Sequence, residues 1–253
     1  MNNLRLLVII AIPLACVEAE ENWLDLEHST IGNLSESDWP GVCNTGHKQS
    51  PIELNEAYAT NGPTKLHILN DTVEQPHLAL LYNGYVVILH NFTQFRELVY
   101  VAEQIHFHCG AEHVLENARH DMEVQIVFRL ESAASLKEAF NQTKGLVIVS
   151  VVFAVSYVRS RAMAAIVDTL RGQPLVNEST WKINEINSIF LMRELYGDIG
   201  AYYQYRGSLT VPGCGENVEW IVKAKVQTLT RDQMELSGAA GCQYAAGFLL
   251  CRK

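Results

Sequence analysis

The chain has 253 residues, of which 48% are hydrophobic, and carries a formal net charge of −9. That length and apolar content suit one large domain, or two small ones, with a sizeable buried core. The acidic balance, with no run of Lys and Arg anywhere, excludes an electrostatic nucleic-acid footprint.

In chain order, the first predicted element is a processing signal. Arg5 precedes a short apolar run over 6–14, and Val17-Glu18-Ala19 offers small residues at the cleavage positions, so residues 1–19 read as a secretory signal peptide cut after Ala19. The run is too short to span a bilayer. No other stretch qualifies, so no transmembrane segment is expected and the protein is expected to be secreted. Five Asn-x-Ser/Thr sequons, at Asn33, Asn70, Asn91, Asn141 and Asn177, fit an extracellular route as glycosylation sites. Of six cysteines, Cys16 leaves with the signal. The odd remainder, Cys43, Cys109, Cys214, Cys242 and Cys251, implies a free thiol or an intermolecular bridge.

Short β-branched or aromatic runs follow, separated by turn residues. Strands are predicted over 66–69, 78–81, 85–91, 105–109, 123–129, 146–155 and 218–226, and Asn83-Gly84 between two such runs signals a hairpin. Helices are predicted over 132–141 and 161–170, with a weaker candidate over 183–192. There is no internal repeat and no Pro/Gly/Ser linker. Many strands with a few interspersed helices make one sheet-dominated domain.

The most informative motif is Gln104-Ile105-His106-Phe107-His108. In a strand, residues at i and i+2 face the same side, so His106 and His108 can chelate one ion. A catalytic zinc takes three protein ligands and keeps one position open. On the next strand, Glu123-Val124-Gln125-Ile126-Val127-Phe128, a glutamine stands where a third imidazole would be needed.

The stretch 104–113 resembles the core signature of the α-class carbonic anhydrases. Further segments agree in the same order: Trp39-Pro40-Gly41-Val42-Cys43 with Gly46 and Gln49-Ser50-Pro51-Ile52; Asn83-Gly84; Gly145-Leu146-Val147-Ile148-Val149; and Tyr205-Arg206-Gly207-Ser208-Leu209-Thr210-Val211-Pro212 with Cys214, Glu216, Val218 and Trp220. The resemblance covers roughly residues 22–236. It implies an α+β, sheet-dominated single domain with a large twisted, mainly antiparallel β-sheet and short surface helices. The domain is placed at 20–236, ahead of a divergent or truncated segment at 237–253.

The same resemblance implies roles. His106 and His108 match two zinc ligands, and Gln125 stands at the third position. Thr210 matches the threonine that accepts a hydrogen bond from zinc-bound hydroxide, and Glu112 the glutamate that fixes it. Gln104 and Glu123 match hydrogen-bond partners of the first and third ligands. Val127, Ile148, Leu209 and Trp220 match the substrate pocket's apolar wall, and Val211, which replaces a polar residue common in the family, makes that pocket more apolar. Cys43 and Cys214 match the disulfide of secreted members. Tyr85 falls at the proton-shuttle position, where a phenol with a pKa of about 10 is a poor substitute for histidine. Cys109 stands where members usually have tryptophan. The segment after Pro212 lacks the family's Asn-x-Arg-Pro block. It is either an unusual end, tied by Cys242 and Cys251, or an alternative terminus.

A carboxamide is a poorer zinc donor than imidazole, so zinc is expected to be weak or absent. The expected function is therefore a secreted carbonic-anhydrase-like protein with carbon dioxide hydration lost or strongly reduced. It would bind an unidentified protein or small-molecule ligand. The alternatives are a slow zinc-dependent lyase acting on CO2 and bicarbonate, and an extracellular matrix protein on this scaffold.

Overall fold

The structure, a computed structural model, describes residues 39–60, 67–68, 78–81, 91–95, 98–170, 180–183, 194–195 and 201–235. The expected signal at 1–19, the Asn83-Gly84 turn, Tyr85, the sequons Asn33, Asn70 and Asn177, Cys16, Cys242, Cys251 and the segment 237–253 lie outside these residues.

The described chain begins with a short helix, α1 (Val42–Thr45), and runs into β1 (Glu53–Leu54), β2 (Ala59–Thr60), β3 (His67–Ile68), β4 (Leu78–Leu81), β5 (Asn91–Phe95) and β6 (Leu98–Cys109). A tight hairpin, β7 (Val114–Leu115) and β8 (Ala118–Arg119), leads to β9 (Met122–Leu130). Its two turn residues, Glu116 and Asn117, both have positive φ, the geometry whose twist matches a two-residue β-hairpin. Then come α2 (Leu136–Phe140), β10 (Leu146–Val155), α3 (Arg161–Leu170), β11 (Thr180–Ile183), β12 (Tyr202–Gly207), β13 (Val218–Lys223) and β14 (Gln227–Leu229).

Nine strands form one sheet, in the order β2-β12-β13-β10-β9-β6-β5-β3, with β14 also paired to β10. Its ladders are antiparallel except where β10 runs parallel to β13 and β14. The fold is thus the sheet-dominated, mainly antiparallel architecture with short helices that the sequence implied. Central β9 and β10 are buried along most of their length. A strand covered on both faces reads as a continuous apolar run, as 146–155 does.

One irregularity decides which residues line the site. The β6–β9 register shifts between Ala102 and Gln104. Upstream, Ala102 lies opposite Phe128; downstream, Gln104 lies opposite Val127, His106 opposite Gln125 and His108 opposite Glu123. A bulge of one residue exchanges the faces of a strand. Without it, His106 would lie opposite Val124 and His108 opposite Met122, not opposite Gln125 and Glu123.

Two elements differ from expectation. The helix predicted over 132–141 starts only at Leu136, because the Ser135 side chain caps it, accepting a hydrogen bond from the Glu138 N–H at 3.1 Å. The Glu138 carboxylate reaches back to the Ala134 N–H at 2.8 Å, a variant of the reciprocal box that fixes helix starts. Of the helix considered over 183–192, Ile183 belongs instead to β11, where it pairs with Leu78, and residues 184–192 lie outside the described chain. Among the described residues, no helix is long and apolar enough to cross a membrane.

Candidate functional site

The register across β6, β9, β10, β13 and β12 builds the site in rows. His106, Gln125 and Ser150 are successive partners, and Gln104, Val127, Ile148, Trp220 and Tyr205 form the adjoining row. Val127, Ile148, Leu209 and Trp220 belong to one buried apolar cluster, and Val211 packs against it. The chain therefore brings the wall residues together beside the polar row.

The polar row is organised around Glu123, which is fully buried. Its Oε1 accepts hydrogen bonds from Ser150 Oγ at 2.6 Å, His113 Nδ1 at 2.7 Å and Gln125 Nε2 at 2.9 Å. Its Oε2 accepts the His113 backbone N–H at 2.9 Å. Burial alone would push the Glu123 carboxyl pKa up; the His113 charge and the donors from His113 and Ser150 outweigh it and hold that pKa well below the usual carboxylate range.

His113 is equally buried and continues the chain of hydrogen bonds. Its Nε2 meets the Tyr205 hydroxyl at 2.7 Å, and that hydroxyl donates to Ser50 Oγ at 2.9 Å. Ser50 and Ser208 then bond reciprocally: the Ser50 N–H donates to Ser208 Oγ at 2.9 Å, and the Ser208 N–H to Ser50 Oγ at 3.0 Å. The His113 ring also packs edge-on against Trp220, with centroids 4.8 Å apart.

The loop bearing Thr210 is clamped from the N-terminal side. Cys43 and Cys214 form a disulfide. Gln49 Nε2 donates to the Cys214 carbonyl at 3.2 Å and to Glu216 Oε1 at 2.9 Å, and the Lys48 N–H donates to Glu216 Oε1 at 2.6 Å. Cys109, at the end of β6, is also disulfide-bonded.

Gln125 lies between two carboxylates. It is buried, and its Nε2 donates to Glu112 Oε2 at 2.8 Å as well as to Glu123. The other oxygen of Glu112 lies 3.3 Å from His108 Nδ1. The family pattern joins Glu112 to Thr210, but here the two share no hydrogen bond; the Gln125 amide has taken up that carboxylate. Tightly held zinc calls for imidazole, thiolate or carboxylate donors. At the third position this chain presents an N–H donor, already engaged by two carboxylates, so the residues present do not fit a three-ligand zinc.

Several members of this network had no role assigned from sequence: His113 and Ser150, and Ser50, Tyr205 and Ser208, which stood only as parts of family motifs. Ser150 carried a usable signal, as the single hydroxyl inside an apolar strand. His113 carried one too, through its neighbour Glu112. The side chains of Gln104, His106 and Asn91 lie outside the described set, although their backbones are placed in β6 and β5.

Two solved structures share this architecture. The alpha-carbonic anhydrase of Thermovibrio ammonificans, in complex with the inhibitor sulfanilamide, is 22% identical with a TM-score of 0.60, the match covering 79% of this chain and 81% of that one. Dioscorin complexed with ascorbate is 25% identical with a TM-score of 0.57, covering 83% and 82%. The fold and its polar row thus define a carbonic-anhydrase-like protein. The family model for eukaryotic-type carbonic anhydrase matches residues 34–240, and the chain belongs to that family. Among curated relatives, carbonic anhydrase 6 of Bos taurus is 29% identical over 207 residues, 75% of this chain and 63% of its own length. Dioscorin DB3L of Dioscorea polystachya is 29% identical over 222 residues, 85% of this chain and 71% of its own.

Proposed function

We propose that this chain is a secreted member of the family in which carbon dioxide hydration is lost or strongly reduced and the pocket serves as a binding site. The observation that carries this reading is the Gln125 amide nitrogen donating to both Glu112 and Glu123 at the third-ligand position. The family reaction depends on a metal that brings the pKa of bound water to about 7. A site with one ligand replaced by a hydrogen-bond donor does not hold that metal firmly enough. Tyr85 at the shuttle position adds a second defect. Secretion is supported by the signal-like residues 1–19 and by the Cys43–Cys214 disulfide, a bond typical of oxidising compartments.

The occupant proposed for the pocket is a small polar organic molecule. Val211, partly exposed at the edge of the apolar cluster, offers a contact surface, and Glu112 and His108, both partly exposed, offer polar groups. Its structural relative dioscorin carries a molecule of that class, ascorbate.

A second reading, a slow zinc lyase on CO2 and bicarbonate, draws support from the retained wall of Val127, Ile148, Leu209 and Trp220. Stopped-flow CO2 hydration separates the two. The unmodified chain is expected to match the uncatalysed background with and without added zinc, and Gln125→His to rise above it in zinc. Chelator-sensitive turnover by the unmodified chain refutes the binding reading and selects the lyase.

A further inference from the structure

We infer that Gln125 is a positioning residue that replaces the metal ion as the organiser of the pocket floor, cross-linking Glu112 and Glu123 so that the fold stands without zinc. The inference rests on the reading of a metal-poor site given above and concerns what takes the ion's place.

Two carboxylates from different segments, Glu112 ahead of the β7–β8 hairpin and Glu123 on β9, converge on one nitrogen at 2.8 and 2.9 Å. A primary amide carries two N–H bonds on that nitrogen, one for each carboxylate. A neutral imidazole carries a single N–H and serves one of them; with its other nitrogen on a metal, it again serves one. Leucine serves neither. Glutamate adds a third negative charge facing the other two. Asparagine has the right protons but is one methylene too short to span both.

The amide is also the middle link of a longer connection. His108 meets Glu112 at 3.3 Å, Gln125 joins Glu112 to Glu123, and Ser150 and His113 hold Glu123. Three neighbouring strands, β6, β9 and β10, are thereby tied through polar side chains on one face. In the zinc-bound arrangement that the family resemblance implies, the ion ties the strands and Glu112 is left to Thr210. Here the amide ties them and takes Glu112, so Thr210 loses that acceptor.

The test measures thermal unfolding of the secreted chain and of Gln125→Leu, Gln125→His and Gln125→Glu, each in excess chelator and then in added zinc. In chelator, all three variants are expected to melt about 5–10 °C below the unmodified chain, since hydrogen bonds to charged groups are lost in each. Zinc is expected to restore Gln125→His alone. As a measurement that needs no variant to fold, the Gln125 side-chain amide protons of the unmodified chain are read by NMR in chelator. They are expected as two separate, downfield resonances that exchange with solvent at least a hundredfold more slowly than those of an exposed glutamine. Amide protons exchanging at the exposed rate overturn the inference, as does a Gln125→Leu variant melting within about 1 °C of the unmodified chain in chelator. The chelated samples alone judge the cross-link. A rise in the unmodified chain's melting point on adding zinc refutes the reading beneath it instead.

Discussion

Replacing Glu123 with glutamine removes one charge at nearly constant volume from a fully buried carboxylate. The carboxylate accepts four hydrogen bonds, from Ser150, Gln125 and twice from His113, at 2.6–2.9 Å, and both it and His113 are shielded from water. Taking the charge from a buried carboxylate while its donors stay in place is comparable to breaking a buried ion pair, about 3–5 kcal/mol. Such a loss takes a large share of the roughly 5–15 kcal/mol that holds a domain of ordinary stability. For a domain of this size, each kcal/mol moves the melting point by about 2–4 °C, so a fall of roughly 6–20 °C is expected. Urea unfolding followed by tryptophan fluorescence reads the change, with Trp220 packed against His113 as a local reporter. Ser150→Ala, which removes one of the four donors, is expected to cost about 1.5–3 kcal/mol. A Glu123→Gln loss below about 1 kcal/mol refutes the view that this carboxylate anchors the network.

Acid titration gives an independent view of the same group. The folded-state pKa of Glu123 is lowered, so its stabilisation is complete above the unfolded carboxyl value near 4.3 and is lost as pH falls toward the folded value. Stability of the unmodified chain is expected to decline from about pH 5 downward, with a shallower slope in Glu123→Gln; equal slopes in the two count against the assignment. The Cys43–Cys214 bond closes a separation of 171 residues, and replacing both cysteines by serine is expected to cost about 2–4 kcal/mol in the same urea assay. Alkylation of the folded, unreduced protein followed by peptide mapping is expected to leave Cys109 unlabelled, and labelling there contradicts its disulfide state.

How much of this was legible in the sequence depended on the kind of information each element carries. The apolar run at 146–155 and the helical spacing at 161–170 delimit β10 and α3 as observed, and the run at 78–81 delimits β4. Local periodicity suffices for β10, which is buried along most of its length, and for α3, where Ala162, Met163 and Val167 are buried and Arg161 and Asp168 are exposed. It fails for β12, Tyr202–Gly207, whose mix of aromatic, amide, basic and glycine residues has no clean alternation. It also fails for the bulge at 102–104, because register is a relation between two strands and leaves no mark in either alone. The site divides the same way. His106, His108 and Gln125 stand out through spacing and family resemblance. The partners of Glu123 come from positions 113, 125 and 150, the chain of hydrogen bonds runs on from His113 to Tyr205 and Ser50, and these residues meet only in the folded sheet. The capture of Glu112 by Gln125 followed from neither pattern nor resemblance; it needed the geometry of one amide nitrogen between two carboxylates.

The most direct test is the zinc content of the unmodified, secreted chain, purified without chelator and measured by mass spectrometry against protein concentration after equilibration in micromolar zinc. The account predicts well under one equivalent, with no gain in CO2 hydration. One full equivalent that survives dialysis and supports hydration would contradict it.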